Sequence, residues 1–318
     1  MDKTAAKAAG GPSPDLSVTI AGVRLGNPVI AASGTFGYGA EYAGVIDLSR
    51  LGGICTKGLT LEPRPGNRGT RVWETPSGLL NSIGLENPGI HAFIEKELPS
   101  MRKLGPAIIA NLSGSTLDEY VEGATLLDAS LVDIVELNIS CPNVRAGGMA
   151  FGLDPEMAAT VVGGVRRALR NKPLMAKLSP NAGDLPAVAR ACVAAGADAL
   201  SLVNTFKAMA IDIRGRRPVF DNVSAGLSGP AIRPIALRMV WELCRGLDPR
   251  VPVVGLGGIA CADDALEFLM AGASAIQVGS ATFARPPAMI DIVEGIESYM
   301  RDNRVATLGD ISLCEKIG

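Results

Sequence analysis

Between Pro28 and Val278 the chain repeats one pattern: a short apolar run, a polar or glycine-rich stop, then an amphipathic stretch of helical period. The runs are Pro28–Ala32, Gly53–Thr56, Ala107–Ala110, Ile134–Leu137, Leu174–Ala176, Ala199–Val203, Val253–Leu256 and Ala275–Val278. Eight βα units in one chain predict an α/β fold of the TIM (β/α)8 barrel type. Ahead of them, Leu16–Ile20 and Val23–Leu25 flank Ala21-Gly22 and predict a hairpin that plugs one barrel end. Thr116-Leu117-Asp118-Glu119 has the spacing of a capping box, and Asp154 before Pro155 can cap the next helix. Gly196 and Gly272 stand where Ala-rich helices would end. Two connections, 59–88 and 206–228, are far longer than barrel loops need to be, which marks them as functional.

Composition favours a single unit. Of 318 residues, 47% are hydrophobic and 19% charged, with a net charge of −2. That leaves ample apolar surface for a core and no basic field for nucleic acid. No apolar stretch reaches the roughly 18 residues of a membrane span. Residues 1–15 are rich in small residues and lack a signal-peptide core, so we expect a loose tail followed by one barrel domain over 16–318, in the cytoplasm. Six cysteines without CxxC spacing predict a reducing compartment and argue against a cluster or metal site held by this chain. The one histidine, His91, removes histidine triads from consideration and reads as surface.

In such barrels chemistry sits at the carboxyl ends of the strands. Here those ends are Ser33-Gly34, Lys57-Gly58, Asn111, Asn138, Lys177, Val203-Asn204-Thr205, Gly257-Gly258 and Gly279-Ser280. Two lysines and several carboxamides converging on an empty cavity would be poorly satisfied, which predicts a polar ligand. The glycine-rich ends of the last two runs match the place where barrels bind phosphate. Gly255 to Ala260 also fits G-x-G-x-x-A, a dinucleotide fingerprint, but no acidic residue for a ribose follows and the surrounding units are wrong for it. The fourth run ends in Asn138-Ile139-Ser140-Cys141-Pro142-Asn143, which makes the free thiol of Cys141 a candidate base; Gly147, Gly148 and Gly152 behind it suggest a lid.

The segment Asn138 to Val144, followed by Gly147-Gly148-Met149-Ala150-Phe151-Gly152, resembles the dihydroorotate dehydrogenases of class 1, subtype B. The likeness extends through Asn27 to Ile30, Ala32 to Gly37, Thr56 to Gly58, Glu62 to Asn67, Asn81 to Leu85, Lys177 to Asn181, Asn204-Thr205 and Gly226 to Pro230. It implies oxidation of dihydroorotate to orotate in pyrimidine synthesis, with FMN in the barrel mouth. On matching positions FMN would meet Ser33, Lys57, Gly58, Asn111, Asn138 and Lys177 from the first five strand ends. From the remainder it would meet Val203, Gly229, Gly257, Gly258, Gly279 and Ser280. Substrate would meet Lys57, Asn81, Ser82, Ile83, Gly84, Leu85, Asn138, Asn204 and Thr205, with Cys141 as the general base. Carboxamides both donate and accept, as a dihydropyrimidine ring requires, and lysines can balance a carboxylate, a phosphate or a reduced flavin.

Cysteine at 141, with no amphipathic extension before the barrel, resembles the soluble class, and Lys177 to Asn181 resembles its NAD-linked subtype. That subtype pairs a barrel homodimer with electron-transfer subunits carrying FAD and a 2Fe-2S cluster, which implies a heterotetramer. Lys207 and Ala225 depart from the family pattern of an apolar residue and a glycine. Alternatives are a fumarate-dependent dihydroorotate dehydrogenase, a dihydropyrimidine dehydrogenase-like flavoenzyme, and an FMN- or phosphate-binding barrel without turnover.

Overall fold

The computed structural model describes residues 14–140, 151–311 and 313. Eight parallel strands close a barrel in chain order: β1 (Val29–Ala31), β2 (Gly53–Cys55), β3 (Ala107–Leu112), β4 (Ile134–Asn138), β5 (Leu174–Lys177), β6 (Ala199–Leu202), β7 (Val253–Leu256) and β8 (Ala275–Val278). Closure places Gln277 of β8 opposite Ile30 of β1. Each anticipated run holds a strand, so the chain is a TIM barrel. The boundaries shift at the functional ends: Asn111, Asn138 and Lys177 lie inside their strands because their backbones still pair, Asn138 opposite Lys177.

Alternation along the strands builds the interior in layers. Ile30, Cys55, Ile109, Ile134, Met175, Ala199, Val254 and Ala275, one from each strand, form a buried apolar cluster. Ile20 and Leu25 of the N-terminal hairpin join it, so the hairpin closes the barrel floor as its sequence predicts. Its turn, Ala21-Gly22, has φ of 48° and 84°, both in the left-handed region that a two-residue hairpin favours. Two residues further along the strands the interior turns polar, with Asn111, Glu136, Lys177, Ser201 and Gln277.

Outside the barrel the helices bury one stripe each; Pro155–Ala168 turns Ala158, Val161, Val162 and Val165 inward. Asp154 caps it by accepting from Met157 N at 2.9 Å. Gly196 and Gly272 end their helices with φ of 104° and 105°. The expected capping box at Thr116 is only half formed. Thr116 Oγ1 accepts from Glu119 N, but the Glu119 carboxylate takes Ser115 N at 2.6 Å, one residue upstream. Asp15 N donates to Ala306 O at 2.9 Å, so the body of the fold takes in one residue before the expected start at Leu16.

The two long connections are not irregular. Val72–Thr75 and Gly78–Asn81 from the first pair with Ala225–Ser228 and Phe206–Ala208 from the second in one antiparallel four-stranded sheet. Ala225 of that sheet packs with Leu80 and Phe220, while Lys207 is exposed.

Candidate active site

The polar ends of the barrel strands and the four-stranded sheet enclose a cleft of about 250 Å³. Ser33, Lys57, Gly58, Asn138, Lys177 and Val203 line it from the barrel. Gly257, Gly258, Gly279 and Ser280 line it from the ends of β7 and β8. Asn81, Ile83, Gly84, Leu85, Asn204, Thr205 and Gly229 reach it from the loops. Two expected residues stand behind the wall. Asn111 is fully buried and donates to Glu136 Oε2 at 3.1 Å, and the Ser82 hydroxyl takes up Asn67 Nδ2 at 3.0 Å. Cys141, with the expected lid glycines Gly147 and Gly148, lies outside the described residues.

The carboxamides are better satisfied than the sequence suggested. Asn138 Oδ1 accepts from Ser140 N at 3.2 Å and from its hydroxyl at 2.7 Å, and Asn204 Nδ2 donates to the same hydroxyl at 2.7 Å. Asn138 and Asn204 are thereby fixed through one shared hydroxyl. Lys57 differs. Among the described residues no carboxylate lies within 4 Å of its ammonium, which faces the cleft half-buried.

The Asn81–Leu85 segment is shaped by two asparagines, the half-buried Asn67 and the buried Asn87. Asn67 Nδ2 donates to Ser82 O at 3.0 Å, and Asn67 N to Ile83 O at 2.8 Å. Asn87 Nδ2 donates to Leu85 O at 2.7 Å, while its Oδ1 accepts from Gly89 N at 2.8 Å. These bonds hold Gly84 and Leu85 at φ of 79° and 56°, a conformation a leucine adopts only under constraint.

Glycines make the opposite end of the cleft. Gly257 and Gly258 take φ of 131° and 77°. A Cβ on Gly258 would stand 2.8 Å from both Gly229 O and Arg233 Cβ, so only glycine lets the backbone lie that close. The loop that follows is braced by Asp264, whose Oδ2 accepts from Ala260 N at 2.9 Å and Cys261 N at 3.2 Å while Arg233 holds its other oxygen.

Beneath the cleft lies Glu136, fully buried inside the barrel. It accepts from Gln277 Nε2 at 3.0 Å, Ser201 Oγ at 3.1 Å, Asn111 Nδ2 at 3.1 Å and Cys55 Sγ at 3.2 Å, and Lys177 Nζ stands 3.6 Å away. Burial pushes its carboxyl up, but Lys177 and the hydrogen bonds from Gln277, Cys55 and Asn111 outweigh it and hold the group below the usual glutamate range. Burial, reinforced by that carboxylate, pushes the Cys55 thiol well up, in keeping with a structural cysteine. Glu136 was not singled out from the sequence. The signal was present: in Ile134-Val135-Glu136-Leu137-Asn138 it shares the period-two face of Ile134 and Asn138. Gln277, two residues after Ala275, was legible in the same way and also lines the cleft.

Comparison with known proteins identifies the family. A family model described as dihydroorotate dehydrogenase matches residues 15–300. Over 297 residues the chain is 54% identical to the "Dihydroorotate dehydrogenase B (NAD(+)), catalytic subunit" of Petrotoga mobilis, covering 93% of this chain and 98% of that one. Proteins of the same description from Pelobacter propionicus and Thermoanaerobacter pseudethanolicus are 52% and 50% identical. They cover 94% and 93% of this chain, and 97% of each relative is matched.

Proposed function

The chain belongs to the dihydroorotate dehydrogenase family, and from that premise we propose how its cleft works as the FMN-dependent catalytic subunit of an NAD-linked enzyme. It oxidises dihydroorotate to orotate, a step of pyrimidine biosynthesis. One observation carries the reading: two lysines, four carboxamides and two glycine-rich strand ends converge on one cleft at the carboxyl end of the barrel.

The wall fits a flavin mononucleotide. Gly257 and Gly258, packed too closely on their neighbours to carry a side chain, put bare backbone on the cleft wall, where main-chain N–H groups can meet a phosphate. Gln277 Oε1 is buried on the cleft wall with no hydrogen-bond partner among the described residues, an acceptor suited to a flavin ring N–H. Ser33, Lys57, Gly58, Asn138, Lys177, Val203, Gly229, Gly279 and Ser280 complete the contacts we assign to the flavin, with Asn111 bracing Asn138 from behind, its Oδ1 accepting from Asn138 Nδ2 at 3.4 Å. When bound, FMN accepts the hydride. The substrate gives up two hydrogens from adjacent ring carbons, one as that hydride and one as a proton to the Cys141 thiolate, so two electrons leave and the ring gains a double bond.

Among the described residues the Lys57 ammonium has no carboxylate partner, and we assign it to the substrate carboxylate. Asn81, Asn138, Asn204 and Thr205 present donors and acceptors to the ring edges, and Ile83, Gly84 and Leu85 close over it, with Ser82 holding that loop in shape. The relatives' description as catalytic subunits supports a partner subunit. We assign it FAD and a 2Fe-2S cluster, in a heterotetramer built on a barrel homodimer. Among the described residues no helix is long and apolar enough to cross a membrane and no group of three metal-ligating side chains occurs.

The purified chain should carry a flavin absorption band that bleaches anaerobically with dihydroorotate and not with dihydrouracil. Bleaching with dihydrouracil would favour a dihydropyrimidine dehydrogenase, and no bleaching with either would remove the oxidoreductase reading.

A further inference from the structure

Glu136 is a full negative charge in the middle of the barrel, without exposure and without a place on the cleft wall. Such a group is costly unless it is paired and hydrogen-bonded. Here it takes partners from five other strands: Cys55 from β2, Asn111 from β3, Lys177 from β5, Ser201 from β6 and Gln277 from β8. Two of these, Lys177 and Gln277, themselves line the cleft, and a third, Asn111, touches Asn138, which does. The carboxylate therefore sits one residue behind the polar wall and is connected to it on three sides. A barrel interior could have been closed at this level with apolar side chains, as it is one layer below.

We propose that Glu136 is a positioning residue that fixes the Lys177 ammonium at the cleft wall and offsets its charge, and thereby sets the reduction potential of the flavin. The proposal rests on the flavin reading above. A flavin that accepts a hydride gains negative charge. A bare ammonium against it in a poorly solvated site would stabilise the reduced form and hold the electrons there. With Glu136 3.6 Å away the pair is neutral as a unit, which leaves the reduced flavin able to pass electrons to an acceptor as weakly oxidising as NAD. Cys55, Asn111, Ser201 and Gln277 carry no charge and spend their donors on holding the carboxylate in place.

The test is the flavin midpoint potential, measured by equilibrium dye reduction on the FMN-loaded protein. Glu136→Gln should raise it, by at least a ten-fold change in the two-electron equilibrium, about 30 mV. Lys177→Gln should lower it, and the double variant should return toward the wild type because neutrality is restored. Ser201→Ala removes one hydrogen bond to the same carboxylate without changing charge and should leave the potential in place. Should Glu136→Gln fail to fold, the rise from Lys177→Gln to the double variant makes the same comparison. An unchanged or lowered potential in Glu136→Gln overturns the proposal, as does a Ser201→Ala shift of equal size or a double variant that stays with the lysine single. Wild-type protein that holds no bleachable flavin would fail the functional reading instead, so the two failures are distinct.

Discussion

Asn81 and Gly226, 145 positions apart, face each other on paired antiparallel strands, and Asn81 Nδ2 donates to Gly226 O at 3.3 Å. The two long connections are thus one structure, and the loop assigned to substrate is fastened to the strand that follows Thr205 in space. Thr205 packs against Gly226 itself, where an added Cβ would fall 2.7 Å from the threonine Cβ.

Gly226→Ala should therefore displace Thr205. Because misplacing a substrate contact by an ångström can cost up to about 100-fold, we expect KM for dihydroorotate to rise about ten-fold or more while FMN content is retained. Steady-state kinetics beside a flavin-to-protein ratio would show it; an unchanged KM would count against Thr205 as a substrate contact.

Gly258→Ala meets backbone on one side, at Gly229 O, and holds a left-handed φ. The conformational cost alone is about 1–2 kcal/mol, so affinity of the apoprotein for FMN should fall about ten-fold. Quenching of flavin fluorescence on titration measures this, and wild-type affinity would separate this glycine from the phosphate.

Cys141→Ala should keep FMN and lose about 100- to 10,000-fold in turnover, the usual contribution of a positioned base. Near-normal oxidation of dihydroorotate would refute the assignment.

Glu136 makes stability depend on pH in the acid range. Its carboxyl lies below the ordinary value of 4.5 in the folded protein, so its stabilisation is complete above that value and is lost as pH falls through the folded value. Breaking a buried pair costs about 3–5 kcal/mol. In urea denaturation Glu136→Gln should trail the wild type at neutral pH by an amount of that order, and the gap should narrow below pH 4.5; a gap independent of pH would mean that Glu136 is buried neutral.

Ile20→Ala opens a cavity in the barrel floor, where Ile20 is 1% exposed. The loss should be about 2–5 kcal/mol, read from thermal or urea unfolding, with FMN content unchanged because the floor lies at the opposite end from the cleft. Flavin loss in the folded variant would show the two ends to be coupled.

Much of the site was legible because strand ends are local features. Lys57, Gly257 and Gly279 follow apolar runs directly, and a run that stops in a polar residue or glycine is visible without knowing its neighbours. Asn111 and Ser82 were legible as polar residues near the site but not as residues behind its wall, since that depends on which way the strand and loop turn them. The Thr116 cap was half legible: Thr116 to Glu119 N is a local bond, whereas Glu119 was free to take Ser115 N instead.

The sequence by itself determined the barrel, its plugged floor and the positions of its eight ends, because a period of two in short runs and of 3.6 between them admits one economical closed arrangement. Only the tertiary structure decided what those ends meet. A carboxylate on β4 reaches a lysine on β5 and a glutamine on β8 through barrel closure alone. Two loops with no shared sequence signal become one sheet for the same reason: backbone groups left unpaired in one connection are satisfied by the other.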